Sequence, residues 1–293
     1  MPILKVVVLA IVQGLAELLP VSSSAHVVVA EKLMGLDPSS PQMTLLLVML
    51  HTGTMFAVIV YFWKQWKKTY FASPEMFKRF LIRAVWATVL TVVIGGVLKI
   101  AIEKTMFPGA AKAEIEDLFG RLDLIAPALL AAGVLILIAG LRERKGLPAE
   151  QVYGNSVTMS QAGWMGAVQG LCLPFRGFSR SGATISTGML TGTSKDRAER
   201  FSFALAVILT PPVVLREGMR LMKASHEAAA TGASIDLQSS VATSLIGMVL
   251  AFFAGLVALK WLSSWLEAGR WYLFGIYCII ASGVVFYLHH LGY

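Results

Sequence analysis

Between positions 13 and 26 the chain reads QGLAELLPVSSSAH, and between 169 and 184 it reads QGLCLPFRGFSRSGAT. Both stretches put reactive side chains into strongly apolar surroundings. In the first, Gln13 and Glu17 are four residues apart, so on a helix they share one face. An ionised side chain inside a membrane helix is costly and is read first as functional. Ser22, Ser23 and Ser24 follow Pro20 where a helix over 25–35 would restart. One of these serines is expected to cap that helix and another to be free for chemistry. Beside the hydroxyls and the carboxylate, His26 reads as a general acid or base. The other histidines look bland, with His51 inside an apolar span and His226, His289 and His290 at loops or the C-terminal end.

The second stretch supplies Arg176 and Arg180, hydroxyls at Ser179, Ser181 and Thr184, and glycines at Gly177 and Gly182. Two arginines at the apex of a loop in an apolar region call for a negatively charged partner, and the guanidinium fork suits phosphate. Glycine allows close backbone approach, and a restarting helix aims its first amides at an anion. Together the two stretches read as a phosphate pocket with a hydroxyl nucleophile and, at Glu17, a ligand for a hard divalent cation.

These residues need elements to hold them. Of the 293 residues 56% are hydrophobic and 14% charged. A soluble domain of this length would carry about 25% charged residues, so the chain reads as a polytopic membrane protein. The net charge of +8 fits cytoplasmic loops rich in Lys and Arg rather than nucleic-acid binding, since no basic helix or RNA-type aromatic motif appears. Cys172 and Cys278 lie far apart in apolar segments and read as small buried hydrophobes. Spans of about 20 apolar residues are predicted near 43–63, 80–102, 122–141, 201–222, 241–262 and 271–291. Pro211 and Pro212 are expected to kink the fourth. The regions 3–35 and 160–193 are each broken at the centre by Pro, Ser and Gly. They read as re-entrant hairpins, because neither half is long enough to cross.

The two broken regions align with each other. Gln13-Gly14-Leu15 matches Gln169-Gly170-Leu171, Ser22 matches Ser179, Ser24 matches Ser181 and Gly35 matches Gly192. Each is followed by three spans, which makes an internal repeat. The repeat also argues against a signal peptide at the N-terminus, because the counterpart lies mid-chain. The expected architecture is an all-α, polytopic, single membrane domain over 1–293. Repeat one covers 1–145 and repeat two 155–293, and three crossings per repeat invert the second copy. Lys64, Lys67, Lys68, Lys78 and Arg79 mark a cytoplasmic loop, as do Arg142, Arg144 and Lys145. Glu103, Glu114, Glu116, Asp117 and Asp123 mark an external one. Both termini are then external, and the hairpin tips meet near the midplane, as in transporters with inverted repeats.

Soluble phosphate-binding and hydrolase signatures are absent. There is no GxxxxGK[ST] loop, and GFSRS departs from the GxSxG elbow because Ser181 takes the place of the last glycine. The chain resembles instead the undecaprenyl-diphosphate phosphatase family associated with bacitracin resistance. The family's E/Q-x-x-x-E helix running into PVSS-x-x-H is matched by Gln13, Glu17, Pro20, Val21, Ser22, Ser23 and His26. Its PG-x-SRSGAT motif is matched by Gly177, Ser179, Arg180, Ser181, Gly182, Ala183 and Thr184.

The resemblance implies an enzyme of the bacterial cytoplasmic membrane that removes the terminal phosphate of undecaprenyl diphosphate, regenerating the monophosphate carrier of cell-wall synthesis. It implies Ser23 as nucleophile, Glu17 with Gln13 as holder of a divalent cation (Mg2+ or Ca2+) or orienter of the nucleophile, His26 as proton shuttle and Arg180 as phosphate clamp. The binding set would be Gln13, Ser22, Ser24, Arg176, Gly177, Ser179, Ser181, Gly182 and Thr184. Ser23, His26 and a metal-activated water stay open as nucleophiles. Gln13 stands where many members carry glutamate and cannot be a charged ligand or base. Arg176 replaces the family's proline and is expected to be a second phosphate contact. The partners are the lipid substrate and the bilayer, with no nucleic acid; the oligomeric state, a homodimer among the alternatives, stays open. The rival class is a transporter or flippase of polyprenyl phosphates. Binding alone needs cations and amides, whereas Ser23 with Glu17 and His26 points to covalent or acid-base chemistry.

Overall fold

The breaks expected at the centres of 3–35 and 160–193 fall at residues 19–22 and 173–179 and separate two pairs of short helices in the computed structural model, which describes residues 2–106, 115–144, 157–230, 236–266 and 270–293. Helix α1 (Ile3–Leu18) turns into α2 (Ser23–Leu33), and α6 (Met159–Cys172) turns into α7 (Arg180–Leu190). At about 1.5 Å per residue, an 11-residue helix such as α2 or α7 covers about 17 Å, roughly half of a hydrocarbon core. The longer helices are α3 (Pro41–Thr69), α4 (Pro74–Met106), α5 (Leu122–Arg144), α8 (Lys195–Ala230), α9 (Leu237–Leu266) and α10 (Trp271–His290). All six are long and apolar enough to cross a membrane, and no strand occurs among the described residues.

The long helices overrun the apolar windows of the sequence because good helix formers and caps extend them past the hydrocarbon-length core. Ser40 caps α3 by accepting from the Met43 amide at 3.4 Å, and Ser73 caps α4 by accepting from Met76 at 3.2 Å. Lys64, Lys67 and Lys68 consequently ride on the last turns of α3, with Lys78 and Arg79 on the first turns of α4. All five are exposed around a tight turn rather than spread along a loop. Glu103 and Asp123 sit on α4 and α5. Glu114 and Lys145, and the side chains of Glu116, Asp117 and Arg144, lie outside the described part. Helix α8 continues through Pro211 and Pro212; each removes a backbone donor and crowds the carbonyl one turn earlier without ending the helix.

Helix α3 packs against α8 and α9, α5 lies along α10, α4 along α6, and α9 along α1. The main core gathers Leu129, Ile136, Phe201, Phe203 and Leu205, with Phe62 of α3 stacked on Phe203 of α8 at 5.5 Å. Cys172 and Cys278 are buried free thiols. Large apolar side chains face outward along the long helices, among them Val89, Val93 and Val97 of α4, Phe253 and Val257 of α9, and Ile280 and Val284 of α10. Such a belt is unstable in water and is what a bilayer covers.

Candidate active site

The two broken segments touch at their tips. A β-carbon built on Gly182, in the first turn of α7, would lie 2.9 Å from the Pro20 carbonyl and 2.6 Å from Ile136 Cδ1. Only a residue without a side chain lets the tips come this close.

Glu17, at the end of α1, is the centre of the cluster and is only 4% exposed. Its Oε1 accepts from Arg180 Nη2 at 2.8 Å. Its Oε2 accepts from Ser23 Oγ at 2.5 Å and from Gln13 Nε2 at 2.8 Å. His51 Nε2 lies 3.3 Å from the same oxygen and 3.4 Å from Ser23 Oγ. A buried carboxylate stays charged only with such compensation. Gln13 is fully buried behind Glu17, as the i, i+4 spacing predicts. The second nitrogen of Arg180, Nη1, is buried with no hydrogen-bond partner among the described residues. A guanidinium with one arm on Glu17 and the other unsatisfied is set to receive an oxyanion.

Ser22 takes the capping position of α2 with φ 65°, the left-handed region, and its hydroxyl makes no capping bond. A non-glycine residue held there costs on the order of 1–3 kcal/mol, a strain that gathers at functional sites. The expected cap is therefore absent at the first tip; the Ser22 hydroxyl lies 3.4 Å from Ser24 Oγ instead. At the second tip Ser179 does cap, accepting from the Gly182 amide at 3.2 Å.

The strained turn is held from outside by His26. Its Nδ1 lies 2.8 Å from the Ser22 carbonyl, which can only accept, so Nδ1 carries hydrogen. Nε2 then accepts from the Tyr277 hydroxyl at 2.7 Å. Both ring nitrogens are thus engaged away from Ser23 and Glu17, and the ring does not line the cavity. The position expected for a proton shuttle is not the one His26 occupies; its i, i+4 bond to Ser22 turns it outward.

A cavity of about 530 Å³ opens over Ser23 and Arg180. Glu17, Ser22, Ser23, Ser24, Ser179, Arg180 and Ser181 form its polar floor, and Leu47, Met55, Val92, Leu173, Phe178 and Leu209 stand in its apolar walls. Lys99, Arg176 and Arg216 also line it. Arg176 rests over the Phe119 ring, 4.0 Å from its centroid. Thr184 is not in the lining. Its hydroxyl donates to the Arg180 carbonyl at 2.8 Å and pairs with Ser202 Oγ at 2.6 Å, which ties α7 to α8. Gly177 and Gly182 also stay out of the lining and shape the loop: Gly177 has φ 101°, and a side chain there would meet the Ile125 carbonyl at 2.5 Å.

The donors do not fit a resident divalent cation. Both oxygens of Glu17 already accept from an arginine, a serine and a glutamine. Among the described residues no three His, Cys, Asp or Glu side chains converge as a metal site. Ca2+ takes six or more oxygen ligands, and Mg2+ is held by one or two carboxylates together with water and substrate phosphates, so a cation here would come with a diphosphate rather than reside among these side chains.

His51 is the one member of the cluster that the motifs do not contain. It sits on α3, 28 residues from Ser23. The signal was present: an imidazole inside an otherwise apolar span is costly enough to be read as functional.

Comparison with known proteins shows the family. The family described as bacitracin resistance protein BacA matches residues 6–284. A protein of Acinetobacter baylyi named undecaprenyl-diphosphatase 2 is 57% identical over 286 residues, covering 97% of each chain. Undecaprenyl-diphosphatases of Desulfosudis oleivorans (33% identical, 96% of this chain and 97% of the relative) and Rhodopirellula baltica (31%, 98% of each) are more distant. With the match running through both tips and all six long helices, the chain belongs to the BacA family of bacitracin resistance proteins.

Proposed function

We propose that this chain is an integral membrane phosphatase that removes the terminal phosphate of undecaprenyl diphosphate and releases undecaprenyl phosphate for reuse as a cell-wall lipid carrier. The observation that carries the reading is the Ser23 hydroxyl at 2.5 Å from a carboxylate whose other oxygen is held by Arg180. A transporter has no need of a hydroxyl aligned on a buried base. The relatives' printed names supply the substrate, and the cavity suits it: apolar walls for a polyprenyl chain above a floor of hydroxyls and guanidinium.

In this account Ser23 Oγ attacks the distal phosphorus. Glu17 orients the hydroxyl and draws its proton, and Gln13 fixes the rotamer of Glu17 from behind. Arg180 places Nη1 on the phosphate oxygens while Nη2 stays on Glu17, so charge growing at phosphorus meets a fixed cation. The N-terminus of α7 begins at Arg180 and adds its dipole in the same sense. Ser22, Ser24, Ser179 and Ser181 offer further hydroxyls to the diphosphate. Arg176 and Lys99, which also line the cavity, would meet the phosphate that stays on the lipid. No step is assigned to a protein-held metal ion.

The packing supports an inverted repeat of one hairpin and three spans. Helix α4 lies along α6 as α9 lies along α1, the same relation with the two halves exchanged. Gly35 and Gly192, aligned in the sequence, both end their hairpins at positive φ, 70° and 92°. Access from the external side follows from charge: the cavity takes the part of α4 from Val92 to Lys99 and the part of α8 from Ala206 to Glu217, the halves remote from the basic turn at 64–79. Both termini are then external.

Phosphate release from undecaprenyl diphosphate by the purified protein tests the reading. Release that is lost in Ser23→Ala supports it. Lipid transfer across vesicles with no release at all would replace it with the flippase.

A further inference from the structure

We propose that His51 is the group that stores the serine proton in this chain, taking the part that a glutamate at position 13 would otherwise play. The inference rests on the phosphatase reading. The family pattern allows Glu or Gln at position 13, and here it is Gln13, which cannot carry a proton. Gln13 Nε2 and His51 Nε2 both face Oε2 of Glu17, at 2.8 Å and 3.3 Å. The amide lies on one side of that oxygen and a titratable ring supplies a second contact to it.

The ring is fixed for this work. His51 Nδ1 lies 2.8 Å from the Leu47 carbonyl, an acceptor only, so Nδ1 keeps its hydrogen and Nε2 is where a proton is gained or lost. Nε2 is 3.4 Å from Ser23 Oγ. Of the five histidines in the chain, this ring alone has a contact with the serine hydroxyl among the described residues. Glu17 by itself is a poor place to leave a proton, because Arg180, Ser23 and Gln13 already donate to its oxygens, whereas the unprotonated Nε2 of His51 beside it has a free lone pair.

The steps balance. As Oγ bonds to the distal phosphorus, the bridging P–O bond breaks and its electron pair leaves with the lipid monophosphate. The serine proton passes by way of Glu17 Oε2 to His51 Nε2. Water then attacks phosphorus, the P–Oγ bond breaks, and Oγ recovers the proton from Nε2. Inorganic phosphate departs with the water oxygen and its hydrogens.

The test compares wild type, His51→Gln, His51→Ala and the double variant Gln13→Glu/His51→Gln, using phosphate release from undecaprenyl diphosphate in detergent. The glutamine amide keeps a polar group of similar reach beside Glu17 and Ser23 but cannot gain a proton, so a merely structural role survives His51→Gln and a proton-carrying role does not. A kcat about 10²-fold lower with KM within about twofold is expected for both single variants, the range typical of proton-transfer groups. Added imidazole is expected to raise the rate of His51→Ala, and the double variant to recover to within about tenfold of wild type. His51→Gln turning over within about threefold of wild type overturns the proposal, as does a loss confined to KM. A wild type that releases no phosphate overturns the phosphatase reading itself, and the proton role with it.

Discussion

Arg180 and Glu17 stand 163 residues apart in the chain and 2.8 Å apart in space. Each comes from the broken tip of a different half, so neither half holds a complete site. The pair has an energetic consequence. Glu17 is almost fully buried, and deleting its cation leaves an uncompensated charge. Arg180→Ala is expected to lower stability by about 3 kcal/mol and turnover by more than about 10²-fold. The double variant Glu17→Gln/Arg180→Met should recover most of the stability and none of the activity. Thermal melts alongside phosphate release check both.

The contact between tips gives a second prediction. Gly182→Ala must push its methyl group against Ile136 and the Pro20 carbonyl. Overpacking of this kind costs about 1–3 kcal/mol. Turnover should fall as well, because separating the tips draws Arg180 away from Ser23. A melting curve and a rate like those of wild type would show that the tips do not meet this closely.

Much of this was legible in the sequence. Pro, Ser and Gly at the centres of two apolar regions marked the short helix pairs, and the six long spans were visible from hydropathy alone. Glu17, the three serines at 22–24 and Arg180 stood out as charge and hydroxyl groups where hydrocarbon was expected, and the family resemblance singled out Ser23 among them. What the sequence could not supply was direction. Membership of a motif does not say which way a side chain points, so His26 and Thr184 read as site residues although their hydrogen bonds turn them to Tyr277 and Ser202. His51 lies outside both polar tips, in the middle of a long apolar span, and only the packing of α3 brings it to Ser23.

These directions are themselves testable. Thr184→Val removes a buried hydroxyl pair and is expected to cost about 1–2 kcal/mol, with KM within about twofold of wild type. His26→Gln should reduce turnover by less than about tenfold, acting only through the Ser22 turn. A loss for His26→Gln as large as that of His51→Gln, read by the same phosphate assay, would restore the shuttle to His26.

Metal removal has an expected outcome of its own. Because Glu17 is held by Arg180 and two further donors, Ser23 and Gln13, chelation of the lipid-free protein should leave its Tm unchanged. A fall of several degrees on chelation, reversed by Mg2+ or Ca2+, would mean that a cation does reside among these residues.

The most direct test of the account is rapid quenching of the enzyme with undecaprenyl diphosphate labelled on its terminal phosphate, followed by mapping of the label on the chain. The account predicts label on Ser23, formed and discharged at rates matching turnover, and neither label nor phosphate release in Ser23→Ala. Phosphate release that proceeds without label on Ser23, and persists in Ser23→Ala, would contradict it.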